Sequence, residues 1–269
     1  MTLGEHLEEL RSCLVRALIG VAVGMIVCFF FGERLFQVMF WPLSVATGGS
    51  PPRLYFTSPP EAFSTYLRVC LIAGAILSSP YGLYQMWRFI AAGLYAHERL
   101  AVRKYLLPSI GLFLLGVVFF LVVVAPLVIA FFLYFAEHSF PGPLNVGVRF
   151  LSKYLGRPEL AAASQPADAG GFVQPWLTLG SYISFVATLS LVFGLGFQTP
   201  LVVLFLGRTG IVPIAAMKRF RRYVLLVILI VSAIVTPVDV GSMIALAAPM
   251  YLLYEVGLLA AARGRPAEE

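Results

Sequence analysis

PSIGLFLLGVVFFLVVVAPLVIAFFLYF, residues 108–135, contains no charged side chain. Crossing about 30 Å of hydrocarbon as a helix takes roughly 20 apolar residues, and a helix satisfies its own backbone in lipid. This run is therefore read as a membrane span, with Pro126 inside it. Five more runs of the same kind flank it. They are Leu14–Phe31, Tyr66–Trp87 with Pro80 inside, and Leu179–Leu206 with Gln198 and Pro200 inside. Tyr223–Val235 and Gly241–Ala262, the latter with Pro249 inside, complete the set. Of the 269 residues, 60% are hydrophobic and 12% are charged. Too little polar surface is left to cover a soluble domain, and too little length for a separate catalytic one. The expected fold class is an all-α integral membrane protein, a single polytopic domain over 1–269 with six transmembrane helices, the last two short.

The fifth run reaches only about 20 Å at 1.5 Å per residue. It ends at TPVD, Thr236–Asp239, where proline disfavours helix at the residue before it. The fifth and sixth runs are either two short spans or a re-entrant hairpin. Lys and Arg set the orientation. Arg11, Arg16, Arg88, Arg99, Arg103, Lys104, Arg208, Lys218, Arg219, Arg221, Arg222, Arg263 and Arg265 fall on one side. Arg34, Arg53, Arg68, Arg149, Lys153 and Arg157 fall on the other. The richer side is expected to be cytoplasmic, with both termini on it. The net charge of +6 is thereby assigned to topology and the lipid bilayer, not to nucleic acid.

Of the two longer outside loops, residues 32–63 read as an ordered, partly apolar cap. SPPEAF, 58–63, looks like a helix start, with Ser58 as cap, prolines in the first turn and Glu61 at the positive dipole end. Residues 136–176 form an extended loop rich in Ala, Pro and Gly. Cys13, Cys28 and Cys70 make no metal spacing and read as small apolar side chains. Cys28 and Cys70 fall in the outer halves of adjacent spans, so a disulfide is conceivable but not indicated. The acidic N-terminus does not read as a cleavable signal.

Catalytic and metal motifs are missing from the string. His97-Glu98 lacks a second histidine at Ala101, no G-x-S-x-G or phosphate loop occurs, and the three histidines lie outside the spans. No catalytic residue, metal or cofactor is expected. The polar residues at membrane depth are Gln198 and Glu255. Each is a functional candidate by default. The plainer reading is a helix–helix hydrogen bond for Gln198 and an interfacial carboxylate paired with a loop arginine for Glu255. A small-solute transporter built on these two residues is the rival function.

The basic side carries few acids. HLEELR, 6–11, with Glu5 places Glu5, Glu8 and Glu9 at helical spacing, and Glu98 sits in the basic loop GLYAHERLAVRK, 93–104. Dipole complementarity and weak surface pairing cover part of this. Topology gives no reason for Glu98. A cationic ligand does, because a guanidinium grips a carboxylate through two parallel hydrogen bonds.

The chain resembles the TatC family, the multispanning subunit of the twin-arginine protein translocase. The matching pieces are HLEELR (6–11), FTSPPEAF (56–63), SSPYGLYQMWRFIAAGLYAHER (78–99), LGSYISFV (179–186), FGLGFQTP (193–200) and TPVD with PMYLLYE (236–255). The resemblance implies six spans in a concave, glove-like bundle in the bacterial cytoplasmic (inner) membrane. It implies recognition of twin-arginine signal peptides of folded precursors, TatA- and TatB-type single-span partners, self-association, and drive by the proton motive force. By resemblance, Glu9, Glu98, Arg11 and Phe89 belong to the signal-binding site. Gln198 with Pro200, Asp239 and Glu255 are intramembrane polar or partner positions, and Pro42 and Pro80 are structural. Gln198 stands where many members carry Glu, Ala92 where proline is usual, Met243 where Gln is common, and Cys13 where a base is. A receptor and scaffold is therefore expected, not an enzyme.

Overall fold

The computed structural model describes residues 3–49, 54–93, 99–139, 177–210, 212–235 and 240–263. Apart from one isolated bridge, the regular structure among them is helical. Helix α1 covers Leu3–Phe30 and α2 covers Gly32–Ala46. On α1, His6, Glu9, Cys13, Ala17, Gly20, Gly24 and Cys28 recur at steps of three and four and are buried or half-buried, while Leu14, Leu18 and Ile19 stay exposed. The inward stripe is thus made of small residues, and the large apolar ones face outward, as lipid solvent allows.

The second apolar run is two helices. α3 spans Pro59–Leu77 and α4 spans Ser79–Ala92. Pro80 lies in the first turn of α4, where its missing N–H costs nothing, and the break falls at Ser78. The helix starts at Pro59, as SPPEAF leads one to expect and ahead of the apolar run from Tyr66, because Pro59 and Pro60 already hold helical φ. Both α3 and α4 pack on α1. The crossing is set by backbone. A Cβ on Gly24 would stand 2.5 Å from the Gly74 carbonyl oxygen, and one on Gly74 would stand 2.7 Å from Met25 Cα.

The third run is continuous but not uniform. α5, Arg99–Phe119, passes through a five-residue π turn, Phe120–Val124, into α6, Ala125–Ser139. In a regular helix the Pro126 ring would strike the Val122 carbonyl; one extra residue in the turn relieves this. The fourth run breaks where the sequence places Gln198 and Pro200. α7 covers Leu179–Gly196 and α8 covers Thr199–Thr209, ending on Gly210 at φ +74°. α9, Ile214–Arg219, is short; α10 covers Arg221–Val235 and α11 covers Val240–Arg263. Gly4–Phe30, Pro59–Leu77, Lys104–Leu133 and Leu179–Thr209 are long and apolar enough to cross a membrane. The α10–α11 pair completes a six-span all-α membrane bundle.

The main core lies away from the chain termini. Phe120, Phe193, Ile183, Val186, Leu43 and Val69 meet there, drawn from α2, α3, the π turn and α7. Pro42 is fully buried in the same region, within α2, and the Tyr182 hydroxyl donates to the Met39 carbonyl at 2.7 Å. Above it, Tyr55 pairs with the stretch before α7: its N–H donates to Leu177 O at 3.1 Å, and its carbonyl accepts from Leu179 N–H at 3.0 Å.

Ser58 takes the N-cap position of α3 but makes no side-chain cap bond. Glu61 instead braces the residues that lead into the helix. Its carboxylate accepts from the Thr57 N–H and hydroxyl, and from the Gly180 N–H at 3.0 Å. Gly180 is in the first turn of α7, so one carboxylate satisfies donors at two helix starts.

Gly74→Leu is expected to cost about 3 kcal/mol in reversible detergent unfolding, since backbone cannot yield. Gly111, with nothing near its Cβ position, is the control; Gly111→Ala should be neutral or stabilising. Glu61→Ala should speed hydrogen exchange at the Gly180 amide, read by mass spectrometry, and leave the α10–α11 amides unchanged.

Candidate functional site

One end of the bundle gathers the start of α1, the end of α4, the start of α5 and the ends of α8 and α11. Ring contacts tie these elements together. Trp87 of α4 stacks on Tyr105 of α5 at 5.7 Å, and both meet the edge of Phe205 of α8, at 5.3 and 5.6 Å. The Tyr254 hydroxyl of α11 donates to the Met217 carbonyl of α9 at 2.9 Å. This end carries Arg11, Arg16, Arg88, Lys104, Arg208, Lys218, Arg219, Arg221, Arg222 and Arg263.

HLEELR is docked on this end. The His6 ring stacks on Phe89 of α4 with centroids 4.5 Å apart and planes 24° apart. A Cβ on Gly93, at the close of α4, would stand 3.5 Å from His6 Cε1. Glu9 lies three residues on from His6, on the same helical face, and is half-buried. Arg11, two residues further, is exposed, and Cys13 returns to the buried stripe. The structure thus brings Glu9 and Phe89 to one helix junction, with Arg11 on the outer side of it. Glu98 and Asp239 lie outside the described residues. Ala92 sits in the last helical turn of α4, where a proline would have shaped the exit, and Met243 is half-buried on α11.

Gln198 is 7% exposed and sits at the break between α7 and α8. Both ends of its amide are used by one residue. Ser109 Oγ donates to Gln198 Oε1 at 2.7 Å, and Gln198 Nε2 donates to the Ser109 carbonyl at 2.8 Å. The break supplies the position and Pro200 stabilises it from the first turn of α8. Gly257 of α11 packs directly on Pro200, where a Cβ would stand 2.6 Å from Pro200 Cα.

Glu255 is elsewhere on this end. Its carboxylate pairs with Arg221 Nη2 at 2.9 Å and accepts from the Tyr251 hydroxyl at 3.0 Å. Both side chains of the ion pair are partly exposed, at 42% and 26%, so solvent screens it and it locks α10 to α11 only weakly. Gln198 and Glu255 each have their own partners and do not converge on a common space. Among the described residues no group of three or more metal-ligating side chains forms.

Ser109, His6 and Arg221 are the partners that sequence reading left unassigned. Ser109 is the lone hydroxyl beside Pro108 in the third run, which marks it as unusual. Nothing local ties it to a residue 89 positions away.

The class of protein defined by these features is a multi-pass α-helical membrane protein with an acid-bearing, base-rich junction at one end. The profile described as "Sec-independent protein translocase protein (TatC)" matches residues 5–249. Similar proteins carry the same description. That of Desulforapulum autotrophicum is 34% identical, covering 96% of this chain and 83% of its own. That of Aquifex aeolicus is 32% identical, covering 96% and 93%. A crystal structure titled as the twin arginine translocase receptor TatC superposes with TM-score 0.73 at 29% identity over 96% of this chain and 98% of that one. A second, in DDM, gives 0.72 at 31% identity, over 95% and 99%. The chain belongs to the TatC family of Sec-independent protein translocase proteins, and its six spans adopt that family's glove-like bundle.

A double-mutant cycle on Ser109→Ala and Gln198→Leu is expected to give a coupling of about 1 kcal/mol in detergent unfolding. Strictly additive losses would mean the reciprocal pair does not hold the break in place.

Proposed function

We propose that this chain is the receptor and core subunit of twin-arginine protein export. It binds the twin-arginine signal peptide of folded precursors at the cytoplasmic face of the bacterial inner membrane. It scaffolds TatA- and TatB-type single-span partners and copies of itself, and transport is driven by the proton motive force. The base-rich end faces the cytoplasm, with both termini there.

The observation that carries the reading is the His6–Phe89 stack. It holds HLEELR against the end of α4, the helix that precedes Glu98 in the sequence. Glu9 enters that junction half-buried, where a guanidinium pairing is stronger than in open water. Two carboxylates on two chain segments suit a ligand with two adjacent arginines. Strength of pairing to each follows from bidentate geometry, which lysine lacks. The solved relatives are titled as twin arginine translocase receptors, which is the role proposed here.

Gln198 acts as a neutral polar spot in the wall along which the apolar part of the signal lies. An amide does not titrate, so no proton is carried at that position in this chain. Asp239 and Glu255 are assigned to partner contacts near α10 and α11. The solute-transporter reading loses its support, because Gln198 and Glu255 are satisfied separately by Ser109 and Arg221.

The test is binding of a twin-arginine peptide to the full chain in detergent, followed by crosslinking and titration. Glu9→Gln and Glu98→Gln should each weaken binding about tenfold or more, as expected for loss of a charge-assisted pair of roughly 1.5–3 kcal/mol. A peptide with both arginines changed to lysine should bind the unaltered chain comparably weakly. Unchanged binding in both variants would overturn the site.

A further inference from the structure

Antiparallel α1 and α3 are fixed in register by two close contacts. Gly24 meets the Gly74 carbonyl, and the Phe29 carbonyl accepts from the Tyr66 hydroxyl at 2.6 Å, with Gly32, the first residue of α2, against the same ring. Each step of four along α1 is matched by a step of four back along α3. Cys28 lies midway between Gly24 and Gly32, and Cys70 lies midway between Tyr66 and Gly74, so the register sets the two cysteines opposite each other. Both are free thiols, 5% and 0% exposed, and they lie within electrostatic reach of one another. One turn away, the Gly24–Gly74 contact draws the backbones closer than the usual interaxial spacing of about 8–10 Å. Facing Cα atoms can then approach the roughly 4.4–6.8 Å that a disulfide requires. Cys13 occupies the same small-residue stripe and has no cysteine opposite it, so it serves as an internal reference.

We propose that Cys28 and Cys70 form a disulfide that staples α1 to α3. Each thiol gives up one proton and one electron, and one S–S bond forms. The two electrons and two protons open the disulfide of an oxidant protein into two thiols, through a mixed disulfide. Exchange happens while α1 and α3 are docking, since the packed pair leaves no room for attack. The pair lies in the half of α1 away from the base-rich end. That this half meets a thiol–disulfide oxidant rests on the orientation given under the proposed function, which turns it to the extracytoplasmic side.

The experiment is denaturation of the full chain in the presence of maleimide, so that every free thiol is labelled, followed by intact-mass measurement. Chain taken from cells and quenched without reductant should carry one adduct, at Cys13, and three after reduction. Cys28→Ser should carry two adducts under both conditions. In a thermal scan, reductant should lower the Tm of the unaltered chain and leave that of Cys28→Ser unmoved. Three adducts without reductant, both from cells and after treatment of the purified chain with copper–phenanthroline, would overturn the disulfide. Three adducts from cells but one after copper–phenanthroline would uphold the pairing and contradict the orientation.

Discussion

Helices in hydrocarbon gain nothing by hiding apolar side chains from lipid, so they must gain by approaching one another closely. In this protein the approach is backbone on backbone, Gly24 of α1 on Gly74 of α3. Everything at the base-rich end inherits its position from that crossing. α1 is straight enough to run from the crossing to its first turn against α4, and the same stripe of small residues continues to Glu9 and His6. Similar contacts fix the other spans. Gly116 meets Phe193 and Phe197, Gly194 meets Phe113, and Gly257 meets Pro200. The bundle is a set of such crossings, with aromatic rings filling the spaces between.

Prolines then decide where the spans are not helices. Pro80 and Pro200 each sit in the first turn of a new helix, so their breaks cost little. Pro126 comes mid-helix and is absorbed by a π turn instead. The break before Pro200 receives a polar partner from a distant helix, α5. Ser109 takes both ends of the Gln198 amide. A carboxylate there would face the Ser109 carbonyl and need a proton to stay, whereas the amide brings its own donor. This gives a physical meaning to glutamine rather than glutamate at this position.

Much of the fold was legible from long apolar runs alone, because spanning length and internal hydrogen bonding leave few options. The interruption at Gln198 and Pro200 could be read directly, and so could the pairing of Glu255 with a nearby arginine. Long-range partners could not. Ser58 takes the cap position its local features suggest, but the long-range partner of Glu61, Gly180, is 119 residues away. The start of α3 is legible in SPPEAF, although the apolar run begins only at Tyr66, because Glu61 and Ser64 interrupt apolarity without interrupting helix. The candidate site was legible as chemistry, acids set against the charge trend, but not as geometry. Residue identity reveals nothing of the His6–Phe89 stack that seats HLEELR.

The central claim is that a fixed helix crossing presents Glu9 at the close of α4, and that Glu9 and Glu98 each grip one guanidinium group of the signal. A structure of the full chain in a lipid nanodisc with a bound twin-arginine peptide tests it most directly. The account predicts one arginine on each carboxylate, with paired N–H···O distances of about 2.8 Å, and the His6–Phe89 stack retained. Arginines seated elsewhere, with Glu9 and Glu98 turned to bulk water, would contradict it.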